Sequence, residues 1–99
     1  MIIFQQHGWS VWRTVDYVRS VGELCQRYNL KLHMDGARLM HAATYLNVEP
    51  AKLVEHCDSI SICLSKALAA PVGSLVVGTF DFIRRAKRLR KVLGGGMRQ

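Results

Sequence analysis

The chain has 99 residues, of which 49% are hydrophobic and 21% are charged. This length allows at most one domain or part of a larger one, and the composition excludes a disordered chain, which would be less hydrophobic. No apolar run approaches the roughly 20 residues of a transmembrane helix, and Gln5 follows the apolar start too early for a signal peptide. We therefore expect a folded cytoplasmic protein without a membrane segment.

The net charge of +7 is concentrated in one basic run between Arg84 and Lys91. Such a run can bind nucleic acid or an anionic surface, but no recognition motif accompanies it. We expect this basic run to be the solvent-facing side of a helix whose apolar positions face the core. We expect no nucleic-acid partner. A small basic nucleic-acid-binding module is the alternative.

The cysteines and histidines show no metal-binding pattern. The three cysteines, which form no C-x-x-C pair and lie in apolar settings, are Cys25, Cys57 and Cys63. They are typical of reduced, buried thiols in an intracellular protein. The histidines are too scattered for a zinc signature, and His33, within a strand pattern, is expected to be structural. We expect no metal site.

The first half of the chain begins with an unassigned segment, residues 1–14. Apolar residues then recur at three- and four-residue steps over residues 15–28, which predicts a helix with one buried face that ends at Asn29. Residues 31–35 are predicted to form a short strand. A second periodic segment, residues 36–47, predicts another helix.

In the second half, Pro50 suits the first position of a short helix that reaches Cys57 before Asp58 breaks it. The apolar runs at residues 59–64 and 74–78 predict strands, the first of them buried, and a long amphipathic helix is expected over residues 81–93. Three glycines end that helix. This order predicts an α/β fold with sheet strands covered by helices, in which residues 15–99 form one unit.

Three polar residues follow or end predicted strands, where ligands gather in open α/β sheets. They are Asp35, Arg38 and Lys66. Lys66 is flanked by the small residues Ser65 and Ala67, so partial desolvation could make its amine nucleophilic, an environment that suits a Schiff base. Asp35 could hold a pyridine ring nitrogen in its protonated form, and Arg38, one turn into the second helix, could bind a carboxylate through two hydrogen bonds.

Each of these residues also has an ordinary structural interpretation. Lys66 could extend to water from a strand end. Asp35 could cap the helix that begins at Gly36, and Arg38 could be a surface arginine. For Lys66 the spacing alone favours the structural interpretation, and for Asp35 and Arg38 it does not separate the alternatives.

Four sequence motifs together resemble the threonine aldolase family. They are Leu32-His33-Met34-Asp35-Gly36-Ala37-Arg38-Leu39, Cys63-Leu64-Ser65-Lys66, Ala70-Pro71-Val72-Gly73-Ser74, and the segment from Arg88 through Gly94-Gly95-Gly96 to Gln99. The motifs occur in the family's order and span most of the chain. The combination is far more specific than any single motif.

The resemblance implies a fold-type-I enzyme that uses pyridoxal 5'-phosphate (PLP) to cleave L-threonine or L-allo-threonine to glycine and acetaldehyde. It further implies that Lys66 holds the cofactor covalently, that Asp35 pairs with the ring nitrogen, and that Arg38 binds the carboxylate of a small amino-acid substrate. Lys91 matches a basic residue near the family's active site. The fold implied is part of a PLP-dependent transferase-like large domain.

Compared with this family, we expect several parts to be missing. These are about the first third of a family member, with its phosphate-gripping loop, and the C-terminal small domain. The full-length enzyme is expected to be a homo-oligomer. A non-catalytic truncated homologue that keeps the fold and at most binds a full-length partner is the alternative function.

Overall fold

The computed structural model describes residues 2–5 and 15–96. In chain order the elements are β1 (Ile2–Gln5), α1 (Val15–Arg27), β2 (Leu32–Asp35), α2 (Leu39–Leu46), α3 (Pro50–Val54), β3 (Ser59–Cys63), β4 (Ser74–Gly78) and α4 (Phe80–Val92). The α/β fold predicted from the sequence is confirmed. β1 lies in the segment that the sequence left unassigned, and the rest of residues 1–14 lies outside the described residues.

The four strands form one mixed sheet in the order β1-β2-β3-β4. β1, β2 and β3 are parallel, and Asp35 at the end of β2 pairs with Ser61 of β3. β4 runs antiparallel to β3, so that Ser74, its first residue, pairs with Cys63, the last residue of β3. The C-terminal ends of β2 and β3 and the start of β4 therefore lie at the same end of the sheet.

The core lies on one side of this sheet. Alternate residues of β2 and β3 pack there against α1, α2 and α3, as expected from the two-residue period of a strand. Among the residues whose burial the structure describes, Leu32, Met34 and Leu53 are the largest fully buried side chains. The remaining buried apolar residues are Val18, Cys25, Leu39, Ala43 and Ile60.

The helix ends follow the local chemistry read from the sequence. Asn29 and Asn47 adopt left-handed backbone conformations with φ of 50° and 52°, which asparagine tolerates better than most residues. Pro50 is the first residue of α3, where its missing N–H costs nothing. The stops predicted at both asparagines and the start predicted at Pro50 are confirmed.

Several predicted boundaries and burials were wrong. α2 begins at Leu39, three residues after Gly36, because the backbone of residues 36–38 forms a turn before the helix starts. α3 ends at Val54 and does not reach Cys57. Of the three thiols only Cys25 is buried, whereas Cys57 and Cys63 are half-buried.

α4 and β4 differ most from the expectation. Thr79 caps α4 by accepting a hydrogen bond from Phe82 N at 3.4 Å, and no residue of the helix is buried. Leu89 and Val92 are 61% and 74% exposed, and every residue of β4 is exposed as well. The prediction that α4 turns its apolar positions to the core was therefore wrong, since periodicity identifies an apolar side but not the element that covers it. Within the described ranges no helix is long and apolar enough to cross a membrane.

Candidate active site

The side of the sheet opposite the core carries small polar side chains, which we call the polar face. It is formed by His33 and Asp35 of β2, Ser59, Ser61 and Cys63 of β3, and Ser74 of β4, with the apolar Val76 of β4 opposite Ser61. The positions in β2 and β3 alternate with the core residues of those strands, so the pleat separates them from the core. Three hydrogen-bonded contacts link them in cross-strand pairs.

Asp35 is held at the edge of the polar face by two donors. Its Oδ1 accepts a hydrogen bond from Ala37 N at 3.2 Å and one from Ser61 Oγ at 3.4 Å. The first of these bonds closes a local turn, which is a common use of aspartate after a strand. The aspartate thus caps the turn before α2, while its Oδ2 accepts no hydrogen bond from the described residues.

Gly36 fixes the position of Asp35 relative to β3. Its N–H donates to Ser61 O at 2.8 Å, which extends the β2–β3 pairing by one bond. A Cβ at this position would lie 2.9 Å from the same oxygen and 3.1 Å from Ile60 Cγ2. The close approach of the two backbones therefore requires glycine, and it brings Asp35 within reach of Ser61.

Lys66 lies on the loop that joins β3 to β4. Leu64 N donates to Gly73 O, Ala70 N donates to Leu64 O, and Ala69 N donates to Lys66 O, each at 3.0 Å. The loop therefore carries its own hydrogen bonds, and Lys66 extends from it to approach Cys63, with Nζ 3.7 Å from Sγ. Lys66 is exposed, so the partial desolvation expected from its small neighbours is not provided by the described residues.

Asp35 and Lys66 are connected to the same side of β3. Ser61 contacts Asp35 and Cys63 contacts Lys66, and the two β3 residues are separated by two positions. Two positions along a strand correspond to roughly 7 Å, and both side chains project from the same side. A carboxylate and an amine therefore contact the same side of β3, at residues two positions apart.

Arg38 and Lys91 are less closely tied to this arrangement. Arg38 is exposed at the N-cap of α2, with φ of −119°, and does not lie one turn into the helix as predicted. Arg38 is nevertheless only three residues from Asp35 and lies at the same end of the sheet. Lys91 is exposed in the last turn of α4. No hydrogen bond or ion pair joins it to Asp35, Arg38 or Lys66 in the part of the chain that the structure describes.

The sequence interpretation assigned no site role to Ser61, Cys63 or Ser74. Their signal is the alternation of small polar and isoleucine residues in β3, which predicts one polar and one apolar side of a strand. That alternation was interpreted as a wholly buried strand. The cross-strand partners could not be found from it, because strand pairing is not local.

Different polar contacts stabilise the opposite end of the sheet, where β2 and β3 begin. Asp58 accepts hydrogen bonds from Lys31 Nζ and Leu32 N, both at 2.9 Å, and these bonds lower the pKa of the Asp58 carboxyl. Burial, with the nearby Asp58 charge, raises the pKa of the Cys57 thiol to about 11. His33 Nδ1 lies 2.8 Å from Ser59 Oγ, in agreement with the structural role predicted for it. No cluster of three metal-ligating side chains occurs among residues 2–5 and 15–96.

The sequence of the chain is similar to those of known proteins. Residues 9–99 match the family described as beta-eliminating lyase. The chain belongs to the beta-eliminating lyase family. It is 55% identical over 86 residues to low-specificity L-threonine aldolase 1 of Arabidopsis thaliana, covering 87% of this chain and 24% of that protein. It is 49% identical over 84 residues to the low specificity L-threonine aldolase of Escherichia coli K12, covering 85% and 25%.

Solved structures of related proteins share this fold. A putative aromatic amino acid beta-eliminating lyase/threonine aldolase from Exiguobacterium sp. 255-15 has a TM-score of 0.78 at 27% identity, covering 83% of this chain and 23% of that chain. A putative L-allo-threonine aldolase from Listeria monocytogenes EGD-E has a TM-score of 0.84 at 20% identity, covering 93% and 26%. The similarity to threonine aldolases and the fold implied by the four motifs are confirmed. The chain of this beta-eliminating lyase family member spans about a quarter of the length of these relatives.

Proposed function

We propose that this chain provides the cofactor-anchoring part of a PLP-dependent carbon-carbon lyase that cleaves L-threonine or L-allo-threonine to glycine and acetaldehyde. The observation that carries the proposal is the shared alignment of Asp35 and Lys66 along β3, through Ser61 and Cys63. The resemblance to threonine aldolases supports the choice of reaction. A cytoplasmic homo-oligomer is part of the same proposal.

The residues of the polar face suit a pyridine aldehyde. The ring nitrogen and the aldehyde of PLP lie at opposite ends of its ring, and the carboxylate and the amine here contact two different residues of β3, Ser61 and Cys63. Asp35 keeps Oδ2 without a partner among the described residues, while Ala37 and Ser61 hold Oδ1. An oriented carboxylate with one free oxygen suits a protonated ring nitrogen, because a charge-assisted hydrogen bond is roughly twice as strong as a neutral one.

In the proposed reaction, bound PLP would serve as the electron sink for the bond that breaks. Asp35 keeps the ring nitrogen protonated, and Ser61 keeps the Asp35 carboxylate in place. Lys66 supplies the amine that attaches the cofactor, and Arg38 binds the substrate carboxylate, which orients the substrate. Lys91 is included only as a basic residue near the site, a position supported by the resemblance alone.

The second candidate is a non-catalytic homologue that keeps the fold and associates with a longer partner. Its supporting observations are the exposure of Lys66 and the exposed apolar residues of β4 and α4. Under this alternative the amine of Lys66 has no advantage over other exposed lysines of the chain. The two candidates therefore differ in the site at which PLP attaches.

The test measures the attachment of PLP to the 99-residue chain. PLP is added, the absorbance band of its condensation with an amine is followed, and borohydride fixes the product for peptide mapping. The proposal expects preferential labelling of Lys66, loss of the band in Lys66→Ala, and no loss in the control Lys52→Ala, which removes an exposed lysine of α3. Equal labelling of all lysines would reject an anchoring site. Acetaldehyde release from L-threonine and L-allo-threonine then tests the reaction itself.

A further inference from the structure

Cys63 lies between the proposed anchoring lysine and the neighbouring strand. Its Sγ is 3.7 Å from Lys66 Nζ and 3.9 Å from Ser74 Oγ. Cys63 ends β3 and is paired in register with Ser74, so its position is set by the sheet. The Cys63 side chain at the end of β3 thus contacts both Lys66 of the loop and Ser74 of β4.

This contact matters because the Lys66 side chain makes no other hydrogen bond or ion pair among the described residues. A lysine side chain loses much rotamer freedom when it is fixed, so an exposed lysine without a partner samples many rotamers. The thiol sulfur is a weak acceptor, yet it is the group towards which Nζ donates. The half-buried Cys63 is itself held by β3, so it gives the flexible amine a fixed reference point.

We propose that Cys63 is a positioning residue for Lys66, a role that rests on the proposed function. Its sulfur accepts one N–H of the amine and keeps Nζ over the polar face, on the line defined by Ser61 and Asp35. In the attachment step the nitrogen lone pair attacks the aldehyde carbon, and a C=N bond replaces the C=O bond. The carbonyl oxygen leaves as water with the two protons that the amine gives up. Cys63 is unchanged by this step.

The experiment compares the rate of PLP attachment at Lys66 in the full chain and in three variants. Cys63→Ala removes the acceptor, and Cys63→Ser restores a smaller one. Cys57→Ala, the control, removes another half-buried thiol at the opposite end of the sheet. Because the thiol is a weak acceptor, its loss is expected at the low end of the range for a single hydrogen bond, a rate change of about two-fold. We expect Cys63→Ala to slow attachment by this factor, Cys63→Ser to recover part of it, and Cys57→Ala to match the natural chain.

Folding is monitored by circular dichroism and by the urea unfolding midpoint, and the labelling of Lys31 and Lys52 in each sample is an internal standard. Slower attachment at Lys66 with an unchanged internal standard and partial recovery in Cys63→Ser supports the positioning role. Attachment at the natural rate in Cys63→Ala overturns it and leaves the proposed function standing. Equal slowing in both Cys63 variants also overturns it, because the effect then comes from packing. Absence of preferential labelling in the natural chain rejects the proposed function as well.

Discussion

Replacing Gly36 by alanine tests the close backbone approach that holds Asp35. The added Cβ would lie 2.9 Å from Ser61 O, whereas ordinary contacts begin at 3.4 Å. The strand end must therefore move by about half an ångström. This movement opposes the hydrogen bond from Gly36 N to Ser61 O, which is 2.8 Å long. It also lengthens the contact between Ser61 Oγ and Asp35 Oδ1, which is already 3.4 Å.

The expected loss of stability has two parts. Overpacking of this kind costs about 1–3 kcal/mol, and a lost backbone hydrogen bond costs about 0.5–1.5 kcal/mol. We expect Gly36→Ala to lower the free energy of unfolding by about 1.5–4.5 kcal/mol. This is a large fraction of the roughly 5–15 kcal/mol that stabilises a typical domain. For a chain of this size each 1 kcal/mol corresponds to about 4–8 °C in Tm.

The assay is urea unfolding followed by circular dichroism, with Gly96→Ala as the matched control. A Cβ at Gly96 would lie 3.5 Å from Lys91 Cδ, an ordinary contact, so the control is expected to be neutral. Unfolding midpoints that are the same for Gly36→Ala and Gly96→Ala would refute the steric argument. Under the proposed function, Gly36→Ala also reduces PLP attachment at Lys66, even where the variant is fully folded, because Asp35 is displaced.

Three further predictions concern the core, the ion pair of Asp58 with Lys31, and the Cys57 thiol. Leu53→Ala should lower the free energy of unfolding by about 2–5 kcal/mol, whereas Leu89→Ala, at an exposed position, should change it by less than about 0.5 kcal/mol in the same urea assay. Because the folded-state pKa of Asp58 is lowered, its stabilising contacts with Lys31 are present above the unfolded pKa and are lost as the pH falls through the folded pKa. The stability difference between the natural chain and Asp58→Asn should therefore shrink in acid, and a difference independent of pH would contradict this. With a pKa of about 11, Cys57 should react with iodoacetamide at pH 8 more slowly in the folded chain than in urea, as measured by mass spectrometry.

The elements whose signals are local could be predicted from the sequence. α1 showed a regular apolar period, Asn29 and Asn47 marked helix ends, and Pro50 marked a helix start. These features depend on the conformational preferences of single residues and on short-range spacing. The same is true of the stretch of β3 that alternates serine with isoleucine.

The features that depend on distant partners could not be predicted in this way. β1 is only four residues long and owes its existence to parallel pairing with β2, which lies about 30 residues away in the chain. The exposure of α4 depends on what packs against it, and its amphipathic sequence is compatible with either outcome. For the candidate site, Asp35 and Lys66 stood out because they follow strands. Ser61 and Cys63, which connect them, are ordinary residues until the strand register is known.

The antiparallel pairing of β3 with β4 gives the two halves of the candidate site different folding costs. The contact between Cys63 and Ser74 closes a loop of 11 residues, whereas that between Ser61 and Asp35 spans 26. Short loops close with less entropy loss, so the β3–β4 pairing forms at a lower entropic cost than the β2–β3 pairing. Every residue of β4 is exposed, however, whereas Leu32 and Met34 of β2 are buried, so β4 should separate from the sheet at a lower free energy than β2. Amide hydrogens of β4 should then exchange through a lower opening free energy than that of Gly36, and partial opening of the sheet would release the loop of Lys66 before the carboxylate of Asp35.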